Sequence, residues 1–169
     1  DPQTGAASEL LARSNVVFKG YWEQPEETAA ALDGGWFHTG DGAEIGDDGY
    51  VTIKDRRKDV IITGGENVSS IEVEDLLFSH PAVAEVAVIG VPSDTWGETI
   101  KALVVLADEA EPGPAMEREL IAWCKDRAAG YKAPTSVDFR AALARTATGK
   151  LQKFTLRAPF WKDMARGVN

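Results

Sequence analysis

Lys54-Asp55-Arg56-Arg57-Lys58-Asp59-Val60-Ile61-Ile62-Thr63-Gly64-Gly65-Glu66-Asn67 is the stretch on which the reading of the fold turns. Its basic, polar first half gives way to the β-branched run Val60-Ile61-Ile62, which reads as a strand. Gly64-Gly65 then makes a turn into a second short strand over residues 66–68, because paired glycines accept the left-handed backbone of a two-residue hairpin. Ser69 or Ser70 caps a helix with Glu72 and Glu74 in its first turns. That helix is expected to end near residue 79, where His80-Pro81 stops it, with Ile71, Leu77 and Phe78 as its buried stripe.

Working outward toward the C-terminus, strands are expected over residues 83–91 and 99–106, separated by the loop Pro92-Ser93-Asp94. Glu111-Pro112-Gly113-Pro114 breaks the chain before an amphipathic helix over residues 115–128, whose core side is Leu120, Ile121, Trp123 and Cys124. A last strand covers residues 136–139. The result is an α+β domain of roughly 110 residues, large enough to bury its own core. Toward the N-terminus lie a turn-rich start (Asp1-Pro2-Gln3-Thr4-Gly5) and short strands at 9–13 and 15–18. A helix follows from Pro25 to Leu32, and then Trp36-Phe37-His38-Thr39-Gly40-Asp41-Gly42 leads into a strand. Asp47-Asp48-Gly49 turns into another strand at 50–54. This opening third carries too little apolar mass to fold alone and reads as the end of something larger.

The 169 residues are 44% hydrophobic and 27% charged, which is the composition of a globular chain. No apolar run approaches the roughly 20 residues that span a bilayer, and no basic-then-apolar leader opens the chain. The single Cys124 and the widely separated His38 and His80 argue against a disulfide framework and against a metal site. A reducing, cytoplasmic setting is expected. The net charge of −9 opposes general nucleic-acid binding. Yet from Arg140 to Arg166 seven basic residues face the single acid Asp163, a local charge of +6 that attracts phosphates and carboxylates. Solvated helix and loop faces account for several of these charges, but less well for Lys150.

Lys150 sits in Thr146-Ala147-Thr148-Gly149-Lys150-Leu151-Gln152-Lys153. A lysine behind a glycine, on a loop too polar for a core, offers a compact positive charge with an unobstructed approach. The plainer alternative is a solvated turn. A nucleotide P-loop is excluded, since Ala144 and Leu151 stand where that motif requires Gly and Ser or Thr.

Four motifs in order now resemble the adenylate-forming (AMP-binding) superfamily of acyl-CoA synthetases, luciferases and peptide-synthetase adenylation domains. They are Gly35 to Asp41, Asp55 to Asp59, Gly64 to Asn67 with Ile71-Glu72-Val73-Glu74, and Thr146 to Lys150 with Lys153. The stretch quoted first is most similar to short- and medium-chain fatty-acyl-CoA synthetases. Ala144 departs from the pattern, since many members carry Pro there. The resemblance implies the end of a large N-terminal domain over residues 1–57, β-rich and incomplete. A small mobile lid domain would follow over 58–169, with a central, mostly antiparallel sheet packed by helices.

It further implies an AMP-forming ligase that joins a small or medium-chain carboxylic acid to CoA through an acyl-adenylate, with ATP and CoA as substrates. Lys150 would act on the carboxylate and α-phosphate, Asp41 would accept from the ribose hydroxyls, and Arg56 would contact the same region. Lys58 would be the hinge, and Gly64, Gly65 and Glu66 would line the CoA tunnel. Mg2+ would be bound mainly by parts outside this chain. The superfamily's phosphate loop and acyl pocket have no counterpart here, so the chain reads as a C-terminal fragment, inactive without the N-terminal domain of the same enzyme. Two other readings stand beside this one: part of an adenylation domain that loads a carrier protein, and a non-catalytic interaction module.

Overall fold

A computed structural model describes residues 8–162. The expected turn at residues 1–5 and the charges of Asp163 and Arg166 lie outside the described residues. Packing divides the chain into two compact units, Asp1–Lys58 and Asp59–Asn169.

The first unit is a three-stranded antiparallel sheet in the order β1 (Ser8–Ala12), β2 (Phe37–Ile45), β3 (Val51–Arg56), with a short helix α1 (Pro25–Ala31). Proline at the start of α1 and Glu26 and Glu27 in its first turn suit the unpaired amides and positive end of a helix. Among the described residues of this unit Ala43 is the one buried apolar side chain, so polar contacts carry much of its order. Two expectations are corrected. Residues 15–18 form a turn, not a strand: the Ser14 carbonyl accepts from the Val17 amide at 3.2 Å and its hydroxyl from the Val16 amide at 3.3 Å. This local bonding offers the backbone an alternative to a ladder, and it leaves Phe18 to pack edge-on against Phe37. The second correction is that residues 37–42 do not lead into a strand; they are the strand, bulged between Gly42 and Ala43.

The second unit is a five-stranded sheet. β5 (Glu66–Val68), β4 (Ile61–Thr63), β7 (Gly97–Leu106) and β6 (Val83–Ser93) are antiparallel neighbours in that order, and β8 (Ser136–Phe139) runs parallel to β7. Successive strand residues point to opposite faces. Val86, Val88, Ile100, Ala102 and Val104 therefore meet Val73 and Leu77 of α2 (Ser70–Phe78) and Leu120 and Cys124 of α3 (Pro114–Lys125) on one face. Ala87, Ile89, Val91 and Leu103 meet Leu143, Leu151 and two residues of α4 (Lys153–Trp161), Leu156 and Phe160, on the other. Helices cover both faces, which is why β6 and β7 read as near-continuous apolar runs.

The stripe of α2 is also corrected. Ser70, Val73 and Leu77 are buried, whereas Phe78 is 62% exposed and Ile71 lies at the rim. The spacing of three and four residues aims 70, 73 and 77 at the sheet, and Phe78 falls about 100° beyond Leu77. Ser69 is the cap, accepting from the Glu72 amide. Strand β6 continues through Pro92-Ser93, and α3 stops three residues before the expected end.

Glu98 is buried among these layers, accepting from the Ile62 amide at 3.3 Å. Burial raises its carboxyl above the usual range, with the Ile62 amide and Arg157 opposing. Gly90 leaves the room it needs, since a Cβ there would collide with Glu98 Oε2 and press on Ile61. Gly90→Ala is expected to force Glu98 from its partner and to lower stability by about 1–3 kcal/mol. Urea unfolding of the chain checks this.

Candidate active site

Each unit carries part of the expected machinery. In the first, Asp41 and Arg56 are direct cross-strand partners of β2 and β3, with Arg56 Nε 3.4 Å from Asp41 Oδ1. The Asp41 amide donates to Thr39 Oγ1 at 3.1 Å, and that hydroxyl donates to the Leu10 carbonyl at 2.7 Å. The carboxylate thus stands on a strand held by its neighbours, and acceptor capacity remains for a pair of hydroxyls.

Glu9, which the motif reading passed over, supports this stretch from β1. Its Oε1 accepts from the Gly40 amide at 3.1 Å, and its Oε2 meets His38 Nδ1 at 3.1 Å and Arg57 Nη1 at 3.0 Å. The signal available in the sequence was a lone acid inside the strand Ser8-Glu9-Leu10-Leu11-Ala12. Arg57 is therefore an ion-pair partner and not simply a solvated charge.

Lys58 is the middle residue of a 3-10 turn, Arg57–Asp59, and the last residue of the first unit. Its neighbours are tied within different units. Arg57 pairs with Glu9, while Asp59 Oδ1 lies 4.0 Å from Arg157 Nη1, both of these side chains being nearly buried. Gly64 and Gly65 form the two-residue turn between β4 and β5, at φ +59° and +87°. Both are left-handed, the pattern of a type I′ hairpin. The Gly64 amide donates to the Trp96 carbonyl at 3.0 Å, and a Cβ on Gly64 would come within 2.9 Å of the Trp96 ring. Glu66 follows, exposed, at the start of β5.

Lys150 lies in a small hairpin closed by an antiparallel bridge between Arg145 and Leu151. The Thr146 amide donates to the Lys150 carbonyl at 2.8 Å, the Gly149 amide to the Thr146 carbonyl at 2.9 Å, and the Lys150 amide to Thr146 Oγ1 at 3.0 Å. Gly149 holds φ +85°, a conformation that a side chain would strain. The backbone at Lys150 is fixed while the side chain is exposed. Its ammonium has no ion pair or hydrogen bond among the described residues.

Lys153 and Arg157 of the cluster behave differently. Lys153 is nearly buried against Glu74 at 2.7 Å and Ser70 Oγ at 2.7 Å, and Arg157 is buried beside Asp59. They bind the domain together.

Residues 72–150, ending on Lys150, match the family described as AMP-binding enzyme C-terminal domain. Over these residues the chain belongs to that family. Its relatives include 2-methylpropanoate–CoA ligase CCL4 of Humulus lupulus, 45% identical over 99% of this chain and 31% of that protein. Long-chain-fatty-acid–CoA ligase FadD13 of Mycobacterium tuberculosis is 47% identical over 90% of this chain and 29% of its own length. Among solved structures, the anthranilate CoA ligase AuaEII in complex with anthranoyl-AMP superposes with a TM-score of 0.84 at 37% identity, over 92% of this chain and 30% of that one. The chain spans about 30% of the length of the curated relatives it matches. No helix among the described residues is long and apolar enough to cross a membrane.

This C-terminal domain is preceded in the chain by the strand motif that Glu9 holds, and that contact is sensitive to acid. The hydrogen bond from His38 holds the Glu9 carboxyl below the usual glutamate range; partial burial opposes it, and the Gly40 amide and Arg57 add to it. A depressed carboxyl contributes stability that is present above its unfolded pKa and lost as pH falls through the folded one. Glu9→Gln is expected to cost about 1 kcal/mol at pH 7 and nothing at a pH below both values. Unfolding midpoints of the two proteins as a function of pH check the convergence.

Proposed function

We propose that this chain is the lysine-bearing part of an AMP-forming acyl-CoA ligase. The carboxylate oxygen of a small or medium-chain acid attacks the α-phosphorus of ATP, and pyrophosphate leaves. The CoA sulfur then attacks the carbonyl of the acyl-adenylate, and AMP leaves. The observation that carries this reading is the exposed ammonium of Lys150, which has no ion pair or hydrogen bond among the described residues and stands on a hydrogen-bonded hairpin, while Arg145, Lys153 and Arg157 beside it in sequence are paired.

Negative charge builds on the phosphoryl oxygens during the first step, and a preorganised cation lowers that barrier where the charge develops. Asp41 accepts from the two ribose hydroxyls of the nucleotide, and Arg56, already beside it, borders the same ribose. Lys58 is the hinge. The separate anchoring of Arg57 and Asp59 supports this role, because it leaves Lys58 as the residue between two tethered ends. Gly64, Gly65 and Glu66 line the approach of the CoA thiol, where a turn without side chains admits a narrow arm.

The Mg2+ that accompanies ATP would be held by the phosphates and mainly by parts outside this chain. The acid is selected outside this chain. Relatives of near-equal identity are named for acids as different as 2-methylpropanoate and long-chain fatty acids, which supports that separation. The partner of these residues is the N-terminal domain of the same enzyme. The lone, buried Cys124, its thiol pushed up to about 11 by burial, accords with a cytoplasmic setting.

In the enzyme that carries this chain, Lys150→Ala is expected to lower ATP–pyrophosphate exchange about 100- to 1000-fold. Thioester formation from synthetic acyl-adenylate and CoA should stay within a few-fold of wild type. Equal loss of both half-reactions contradicts the assignment.

A further inference from the structure

Arg145 stands at the base of the Lys150 hairpin, opposite Leu151. One arm of its guanidinium, Nη2, donates to Glu85 Oε2 on β6 at 2.6 Å; the other, Nη1, donates to the Gly149 carbonyl at 2.8 Å. That carbonyl belongs to the peptide joining Gly149 to Lys150. The amide end of the same peptide, the Lys150 N–H, donates to Thr146 Oγ1 at 3.0 Å. The plane from which the Lys150 side chain departs is therefore held at both ends. It needs holding, because Gly149 at φ +85° has no Cβ to oppose rotation of that peptide.

We propose that Arg145 and Glu85 are positioning residues for Lys150. Glu85 orients the guanidinium from the sheet, and the guanidinium fixes the Gly149–Lys150 peptide so that the ammonium leaves the hairpin in one direction. The proposal rests on the role of Lys150 given above. It relies on the planar fork of arginine: lysine carries the same charge on a single nitrogen at the end of a flexible stem and lacks the two rigidly spaced nitrogens that aim at both acceptors. Thr146 is the second grip on the peptide, which makes the expected loss partial.

The test uses Arg145→Lys, Glu85→Ala, Arg145→Ala and the double alanine variant in the enzyme that carries this chain, with Lys150→Ala beside them. Each single substitution at Arg145 or Glu85 is expected to lower kcat for ATP–pyrophosphate exchange about 10-fold, the scale of a reacting group displaced by a fraction of an ångström. KM for ATP and the thioester half-reaction should remain within twofold of wild type. The double variant should be no slower than Arg145→Ala, since the two side chains act as one unit. In the 169-residue chain, Arg145→Lys should speed hydrogen exchange of the Lys150 amide about 10-fold.

Arg145→Lys with wild-type exchange kinetics overturns the proposal, as do additive losses in the double variant, equal loss in both half-reactions, or an unchanged Lys150 amide. If Lys150→Ala loses the first half-reaction selectively while Arg145→Lys is silent, the clamp alone fails. If Lys150→Ala is not selective, the role of Lys150 fails, and the clamp with it.

Discussion

The apolar outer face of β6 and β7 is the constraint on which the Lys150 hairpin depends. Ala87, Ile89, Val91 and Leu103 cannot face water, and the segment that covers them runs from Leu143 through Leu151 into α4. Leu143 and Leu151 flank the hairpin on either side and seat it on the sheet. Burying a leucine is worth about 1.5–3 kcal/mol, whereas a half-exposed ion pair such as Arg145–Glu85 is worth about 0.2–1 kcal/mol. The apolar contacts therefore decide where the hairpin sits, and the polar ones decide how its peptides are turned. A lysine in such a place keeps its charge unpaired without loosening the fold.

The two units are built on different physics, and that suits two different tasks. The second has a core on both faces of its sheet and draws even two basic residues of α4 inward, Lys153 against Glu74 and Arg157 beside Asp59. It is a rigid carrier. The first has little apolar mass and holds the Asp41 strand through Glu9, Thr39 and Arg56. Between them the chain passes through Lys58, with one neighbour anchored on each side. The proposed roles of Lys150 and Lys58 ask for this arrangement: a stiff body for the lysine and a short, defined place at which to turn.

Much of the second unit was legible because its strands are apolar and β-branched, its turns carry Gly-Gly or Pro, and its helices begin on Ser69 and Pro114. What stayed illegible is instructive in each case. Phe78 looks like core by type, but its angle on α2 points it away from the sheet. Residues 15–18 have strand composition, but Ser14 captures their amides in a turn. Asp41, Arg56, Lys58 and Lys150 could be picked out as candidates because their motifs are local. The contacts of Glu9, Glu85 and Arg145 could not be read, because each bonds to a residue far away in the chain: Glu9 to residues 38, 40 and 57, and Glu85 to Arg145 sixty positions later. Pairings of that range follow from strand order and register, which the sequence does not spell out.

The central claim is that Lys150 is the cation that meets the phosphoryl group being transferred. The most direct measurement is the structure of the enzyme carrying this chain, bound to a non-hydrolysable ATP analogue and its carboxylic acid. The account predicts Lys150 Nζ within hydrogen-bond distance, about 3 Å, of an α-phosphate oxygen and of the carboxylate, with Asp41 on both ribose hydroxyls. An α-phosphate neutralised by a different side chain, with Lys150 left in solvent, would contradict it.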